Sequence, residues 1–137
     1  MRRPIVAAVA ALSCLAFAPP SASADDQMYF PAVDNVTNVL VGLINNETVR
    51  VDIASWYLSE HSISIAIANR WAAGVPVRII GDRGALFEGD PTHTKFEFYW
   101  LANQGIPIRL RVNPTWYPEI MHWKAAVLAG QNKVLFG

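Results

Sequence analysis

The sequence predicts an α/β fold in which a mixed, mostly parallel sheet is flanked by helices and followed by a C-terminal hairpin. Three segments that alternate in polarity or are rich in β-branched residues are typical of strands: 48–56, 75–82 and 106–111. Segments with apolar residues at helical spacing lie before and between them. Because strands that alternate with helices pair in parallel through right-handed crossovers, one sheet is expected. The composition, 53% hydrophobic and 16% charged, favours a packed core over disorder.

The first 24 residues have the features of an export signal. A basic start at 1–3 precedes an apolar segment over 5–18, and the small residues 21–24 offer a cleavage site. The apolar segment is shorter than the roughly 20 residues that span a bilayer. Cys14 within it also allows a lipoprotein signal. Since apolar residues continue beyond Cys14, we predict a signal peptide cleaved after Ala24 and a secreted or periplasmic protein of 113 residues without cysteine.

Helix and strand signals follow in order along the exported part. Apolar residues at helical spacing predict a first helix over 32–46. The strand at 48–56 comes next. Ser59 is placed to cap a second helix that ends at Gly74, and the strand at 75–82 follows it.

The same alternation continues in the second half. Glycine-containing residues 82–90 predict a mobile loop. Asp90-Pro91 then provides an N-cap and a proline at the first helical position for a helix over 92–104. The strand at 106–111 follows, as the third strand of the parallel set.

A second loop and a hairpin complete the chain. Proline residues predict a loop over 113–119, and its Trp116-Tyr117 could contact a lipid interface or a substrate, or pack in the core. The segments 120–128 and 134–136 are predicted to form a hairpin that is joined through 130–132.

The residues best suited to catalysis are His122 and Lys124. Residues two apart on a strand share a face, so the imidazole and the ammonium would point the same way. An imidazole can attack phosphorus or move a proton, and a fixed ammonium can hold the oxygens of a phosphodiester. A histidine and a lysine at this spacing also occur together by chance, so the context decides.

The pattern and its context resemble the phospholipase D-like superfamily, whose motif is His-x-Lys-x-x-x-x-Asp followed by Gly-Ser and an Asn. His122 and Lys124 match its first two positions, and Gly137 lies near the position of the later glycine. The order of elements over 25–137 is similar to the N-terminal half of such a domain, an α/β sandwich half. The resemblance implies hydrolysis through a phosphohistidine without a cofactor or a metal. It also implies that His122 is nucleophile or acid and that Lys124 holds phosphate.

Two departures from the family pattern affect the implied site. Ala129 stands where the motif has aspartate, so the support of that carboxylate is missing unless another residue supplies it. The sequence ends at Gly137, before the serine and the asparagine, and His122 and Lys124 are its one His-x-Lys pair on a predicted strand, because His93 and Lys95 fall in a predicted helix. Since family members build one site from two motifs, we expect an incomplete domain that supplies half a site, completed by a longer chain or by a homodimer.

Three functions remain open on the sequence. The first is a secreted phosphodiesterase of the phospholipase D type that hydrolyses phospholipid at a membrane surface. The second is a phospholipase D-like endonuclease that acts as a dimer. A basic patch is expected of it, whereas the exported part carries 9 basic and 11 acidic residues, a net charge of −2. The third is a truncated or non-catalytic binding domain, to which Ala129 would point.

Other polar residues give weaker signals. His61 and His93 lie near the starts of predicted helices and are expected to be solvated surface residues. No cysteine or carboxylate lies at ligand spacing around them, so we expect no metal site. Asp52 and Asp82 lie near strand ends, where they could orient catalytic groups. For Asp82 we favour the capping of a turn.

Overall fold

Helices and strands alternate along the chain, as the sequence predicts. The computed structural model describes residues 26–87, 95–112 and 121–137. Within these residues lie four helices, five strands and a 3-10 turn: α1 (Val36–Asn45), β1 (Val51–Ser55), α2 (His61–Ala72), β2 (Val77–Asp82), α3 (Arg83–Phe87), α4 (Lys95–Asn103), β3 (Ile108–Arg111), β4 (Lys124–Leu128), the turn Ala129–Gln131 and β5 (Lys133–Phe136). None of these helices is long and apolar enough to cross a membrane.

Several predictions fall on residues that lie outside the described ranges. They are the signal peptide with its cleavage site after Ala24, the Asp90-Pro91 cap, His93, and the loop that contains Trp116-Tyr117. All of them stay predictions.

The five strands form one sheet in the order β3-β2-β1-β4-β5. β1 pairs in parallel with β2, and β2 pairs in parallel with β3, with helices in the crossovers. β4 returns antiparallel to β1, and β5 pairs antiparallel with β4. The predicted mixed, mostly parallel sheet with a C-terminal hairpin is therefore confirmed. Its topology places the hairpin directly beside the first strand.

The core lies between one face of the sheet and the helices. On β1 and β2 every second residue is buried while most of its neighbours are at least partly exposed, as in a sheet that is covered on one face. Burying one large apolar side chain contributes about 1.5–3 kcal/mol. The largest fully buried apolar side chains come from helices and strands alike: Phe98, Ile44, Ile67, Ile79, Leu101 and Leu128.

Helix boundaries differ from the predicted ones where a local cap decides the start. α1 begins after Asn35, whose Oδ1 accepts a hydrogen bond of 3.0 Å from the backbone N–H three residues on. The prediction that Ser59 caps α2 is wrong, because Glu60 occupies the N-cap position and makes no side-chain cap hydrogen bond. Gly74 follows α2 with φ +83°, a left-handed conformation that favours glycine, so the predicted end is confirmed.

The residues after β2 begin with a short helix, α3, where a mobile loop was expected. Asp82 explains the difference, because its Oδ1 accepts a hydrogen bond of 2.9 Å from the backbone N–H of Ala85. This is the geometry of a helix N-cap. Leu86 of α3 is buried against the core. The sequence gives little sign of this helix, since five residues that include a glycine are too few for a periodic pattern.

The far end of the β4–β5 hairpin is held by a buried carboxylate that no sequence pattern predicted. Glu47, between α1 and β1, is fully buried. It accepts hydrogen bonds from backbone N–H groups on both sides: those of Thr48, Val49, Arg50, Gly130 and Gln131. Burial acts to raise the pKa of Glu47, but these donors outweigh it and lower the pKa from 4.5 to about 2. We call Glu47 and the turn Ala129–Gln131 the hairpin clamp.

Candidate active site

One edge of the sheet gathers the ends of four strands. The parallel strands β1, β2 and β3 finish there, and β4, which runs the other way, begins there. Pairing continues past the strand ends, because the N–H of Trp56 donates to the carbonyl of Trp123 at 2.8 Å. The N–H of Gly137 donates to the carbonyl of Lys124 at 2.8 Å. Sites in open α/β sheets gather where parallel strands end, so we call this edge, which holds Trp56, Lys124 and Gly137, the site edge.

The structure brings His122 and Lys124 into contact at the site edge. Lys124 begins β4, and His122 lies two residues before it. The Nζ atom of Lys124 lies 2.7 Å from Nε2 and 3.1 Å from Nδ1 of His122, in keeping with the shared side expected from their spacing. His122 is exposed and Lys124 is half-buried, so a ligand can reach both from solvent.

Trp56 forms a wall beside this pair. Its ring centroid lies 4.7 Å from that of His122, with 52° between the ring planes. The Nζ atom of Lys124 lies 5.4 Å from the Trp56 ring centroid, within the range in which a tryptophan face attracts a cation. Tyr57 packs edge-on against Trp56 with 4.8 Å between ring centroids. These aromatic contacts hold the imidazole and the ammonium at the site edge.

A shallow cleft of about 380 Å³ opens in front of the pair. Its lining consists of His122, Trp123, Lys124, Phe136 and Gly137. Two of these side chains are apolar and largely exposed, Trp123 at 60% and Phe136 at 75%. The volume is at the lower end of the range of pockets that hold small molecules. The cleft is therefore lined by a histidine and a lysine together with two exposed aromatic side chains.

Asp82 connects the site edge to α3. Its carboxylate is buried, with the residue only 3% exposed. While one oxygen caps α3, the other accepts a hydrogen bond of 2.9 Å from the backbone N–H of Met121, directly before His122. The favoured interpretation, the capping of a turn, is confirmed. Asp82 also holds the backbone that carries His122, which is the orienting role considered beside it.

Asp52 does not lie at the site edge, so the suggestion that it orients catalytic groups is wrong. It is the second residue of β1, and its carboxylate pairs with Arg78 through two contacts of 2.6 Å. Arg50 adds a contact of 2.9 Å. The hydrogen bonds from Arg78, with help from Arg50, lower the pKa of Asp52 against the opposing effect of burial. Asp52 therefore joins two arginines on the less covered face of the sheet.

His61 is an exposed surface residue, as expected, and it also has a side-chain partner. Its Nδ1 lies 3.0 Å from both carboxylate oxygens of Glu97, which is buried. The His61 ring also packs against Trp100 and Phe96, with ring centroids 5.1 Å and 5.9 Å away. These contacts join the start of α2 to α4. In the part of the chain that the structure describes, no group of three or more His, Cys, Asp or Glu side chains could hold a metal ion.

Two residues that support this region were not singled out from the sequence. Trp56 follows the last residue of β1. Its position could have pointed to the site, because residues at the carboxyl ends of parallel strands lie where sites gather. Glu47 had no such signal. Its partners at Gly130 and Gln131 are 83 and 84 residues away in the sequence.

Comparison with known proteins bears on the fold. No protein-family model and no curated protein matches the chain. A solved phospholipase D family member, Nuc from Salmonella typhimurium, is similar with a TM-score of 0.56 and 22% identity, over 67% of this chain and 56% of that one. NucT from Helicobacter pylori is similar with a TM-score of 0.50 and 22% identity, over 66% of this chain and 58% of that one. The chain has a phospholipase D-like fold.

The expected phospholipase D-like architecture is therefore confirmed. The chain spans a little over half the length of the two solved structures, 56% and 58%. A structural similarity at 22% sequence identity shows a shared fold and nothing further. Within this phospholipase D-like fold, His122 and Lys124 meet at the edge where β1, β2 and β3 end and β4 begins. Their geometry at this edge indicates what chemistry they can perform.

Proposed function

We propose that this chain is an exported phosphodiesterase of the phospholipase D type that supplies one half of an active site. The observation that carries the proposal is the contact of Lys124 Nζ with the ring nitrogens of His122, at 2.7 and 3.1 Å, in an open cleft. Cleavage of a phosphodiester needs a nucleophile or acid next to a fixed cation. The phospholipase D-like fold supports this assignment, and the pattern of the first 24 residues supports export.

The reaction consists of two displacements at phosphorus. A neutral histidine nitrogen attacks phosphorus, and a P–N bond forms as the bond to the leaving alcohol oxygen breaks. That oxygen takes a proton from a second, protonated histidine. Water then attacks phosphorus and gives a proton back to the second histidine, while the P–N bond breaks and the phosphate monoester leaves. His122 takes one of the two roles, and the other histidine comes from a second motif, in a longer chain or in a second copy.

Lys124 holds the non-bridging oxygens of the phosphodiester. Its Nζ lies within 3.1 Å of both ring nitrogens of His122, so phosphate bound to the ammonium lies beside the imidazole. The ammonium stabilises the negative charge on these oxygens through both displacements. The Trp56 ring, whose centroid lies 5.4 Å from Nζ, helps to keep the cation beside His122.

A phospholipid is the substrate class that we propose. Trp123 and Phe136 project beside the cleft, 60% and 75% exposed, where their rings can insert among lipid headgroups and acyl chains. The exported part has a net charge of −2, which gives no general attraction to a polyanion such as nucleic acid. A phospholipid substrate does not require such an attraction.

A nucleic acid is the second candidate, and one observation favours it. Arg83 follows the last residue of β2, and Arg111 ends β3, so both exposed arginines lie at the same edge as Lys124. Basic residues placed along one edge can hold successive phosphates even when the net charge of the protein is not basic.

Hydrolysis of two substrates tests the proposal. We would compare phosphatidylcholine vesicles with supercoiled plasmid, using proteins that contain both halves of the site, in a longer chain or as a dimer: the wild type, His122→Ala and a matched control, His61→Asn. The control changes another part-exposed histidine while keeping a donor for Glu97. We expect release of choline from vesicles by the wild type and by His61→Asn, and none by His122→Ala.

Each other outcome has a defined meaning. Nicking of plasmid without choline release, lost in His122→Ala, would replace the phospholipid by the nucleic acid. Binding to vesicles without hydrolysis would favour the non-catalytic domain. Hydrolysis that is equal in the wild type and in His122→Ala would overturn the mechanism.

A further inference from the structure

We infer that Glu47 supplies, from the end of α1, the carboxylate that the His-x-Lys motif of this chain lacks at position 129. Glu47 accepts hydrogen bonds from the two residues that follow Ala129. Gly130 N–H donates to Oε1 at 2.8 Å, and Gln131 N–H donates to Oε2 at 3.3 Å. Although Glu47 lies more than 80 residues earlier in the sequence, its carboxylate is part of the β4–β5 turn in space.

An aspartate at position 129 would act on the same turn. Ala129 begins the 3-10 turn, and the N–H of Asn132 donates to its carbonyl at 3.3 Å. Short carboxylate side chains accept hydrogen bonds from amides two or three residues on, which here means those of Gln131 and Asn132. Such a side chain would compete with Glu47 for the Gln131 amide. The turn therefore needs one carboxylate, and Glu47 provides it.

The turn is shaped around Glu47. A methyl group on Gly130 would lie 2.6 Å from Oε1 of Glu47 and 2.8 Å from Cγ2 of Val49, so only glycine leaves room for the carboxylate. The side-chain amide of Gln131 donates to the carbonyl of Leu43 at 2.7 Å and ties the turn to α1. These contacts fix the end of β4 against α1 and β1. Glu47 is thus a positioning residue for the strand that begins with Lys124.

This inference rests on the proposed function, because position 129 belongs to the His-x-Lys motif only if β4 carries that motif. On that basis Ala129 is not the mark of a degenerate site. The carboxylate support is present and has moved to another segment of the chain. The non-catalytic interpretation then loses its main sequence argument.

Ala129→Asp tests this role, because its effect should reverse sign when Glu47 is removed. Urea unfolding at pH 7 would be measured for the wild type, Ala129→Asp, Glu47→Ala and the double variant. In the wild type, the new carboxylate meets that of Glu47, so the urea midpoint falls. Glu47→Ala leaves several part-buried amides without their acceptor, and we expect its unfolding equilibrium constant to rise roughly 100-fold. In that background Ala129→Asp restores an acceptor and should recover roughly 10-fold.

Asn132→Asp is the matched control, because it adds the same charge to the same turn three residues further on. We expect no recovery when it is combined with Glu47→Ala. Equal recovery by both aspartates, or none by Ala129→Asp, would overturn the inference. If Glu47→Ala does not fold, Ala129→Asp alone still tests the inference. A urea midpoint that is equal to or higher than that of the wild type would contradict a shared carboxylate site.

Hydrolysis adds a second readout and keeps the two proposals separable. At a temperature where all variants are folded, the hydrolysis rate should fall in Glu47→Ala and recover in the double variant. Loss of hydrolysis in His122→Ala without the sign reversal would overturn the role of Glu47 alone. A sign reversal in a protein that hydrolyses no phosphodiester would overturn the proposed function and leave Glu47 as the carboxylate of the turn.

Discussion

The two ends of the β4–β5 hairpin are built in opposite ways. At the site edge, His122 is exposed, and among the residues that the structure describes its side chain contacts the ammonium of Lys124 and the ring of Trp56. At the hairpin clamp, Glu47 is 0% exposed and accepts hydrogen bonds from the backbone of two chain segments. One end is open and sparsely connected, whereas the other is closed and densely hydrogen-bonded.

This difference separates chemistry from stability along a single pair of strands. A ligand needs exposed groups that it can reach, and these contribute little to folding. A buried carboxylate with many donors contributes to folding and meets no ligand. Substitutions at the site edge should therefore change the hydrolysis rate with little effect on unfolding. Substitutions at the clamp should mainly change the free energy of unfolding and should affect the rate only through the position of β4.

The largest effect is expected at His122. His122→Ala should lower the rate of phosphodiester hydrolysis by at least about 10³-fold, because it removes the group that attacks phosphorus or moves the proton. The urea midpoint should change little, since the side chain is exposed. Rate and unfolding would be measured on the same samples, with His61→Asn as the control. A variant that loses stability and keeps its rate would break the comparison.

Lys124→Met should have the second largest effect. It keeps the aliphatic length of the side chain and removes the charge that holds the phosphate oxygens, so we expect a rate loss of about 10²-fold. Lys133→Met is the matched control, because Lys133 is an exposed lysine of the same hairpin at the clamp end. Equal losses in the two variants would point to a general charge effect instead of a site.

The clamp should be visible in the pH dependence of stability. Burial acts to raise the pKa of Glu47, yet its hydrogen bonds lower it from 4.5 to about 2 in the folded protein. A lowered folded-state pKa stabilises the fold above pH 4.5, and this contribution, on the order of 3 kcal/mol, is lost as the pH falls from 4.5 towards 2. Urea unfolding between pH 7 and 2 would measure it.

Glu47→Gln is the control for this pH dependence. It removes the titrating group, so the variant should be less stable than the wild type at pH 7, and the difference should shrink as the pH falls below 4.5. A difference that stays constant from pH 7 to 2 would mean that Glu47 does not titrate in this range.

Much of the fold could be predicted from the sequence because its signals are local. The order of elements, the end of α2 at Gly74 and the final hairpin each depend on residues close in the chain. The proximity of His122 and Lys124 was also local, since a spacing of two residues is enough to place them together.

The supporting contacts could not be predicted because they join distant segments. Glu47 and Gly130 are 83 residues apart, and His61 and Glu97 are 36 residues apart. Neither carboxylate belongs to a periodic pattern or a known spacing. Their roles appear only once the topology places the end of α1 beside the β4–β5 turn and α2 beside α4.

Two glycine substitutions should sharpen the description of the clamp. Gly130→Ala places a methyl group 2.6 Å from the Glu47 carboxylate, so we expect a loss of about 2 kcal/mol in the free energy of unfolding. Gly42→Ala in α1 meets nothing within 4 Å and should stabilise the helix by about 0.5–1 kcal/mol. Thermal or urea unfolding measures the change in the free energy of unfolding for both variants. A stabilisation, or a destabilisation, in both would contradict a tightly packed clamp.

The smallest effect is expected at Asp52, which lies at neither end of the hairpin. Asp52→Asn removes an ion pair with Arg78, whose side chain is 65% exposed, so solvent and salt screen the interaction. We expect a loss of stability smaller than that of Gly130→Ala, decreasing further at 1 M salt, and no change in hydrolysis rate. Urea midpoints at low and high salt would measure it.

The most direct measurement is the stereochemical course of hydrolysis at phosphorus. A diester made chiral by one sulfur atom would be hydrolysed in oxygen-18 water, and the configuration of the product would be read by phosphorus NMR. Two displacements through a histidine invert the configuration twice, so the wild type should give retention, and His122→Ala should lose this reaction. Inversion would show a single direct attack by water, and it would contradict a histidine intermediate at the site edge.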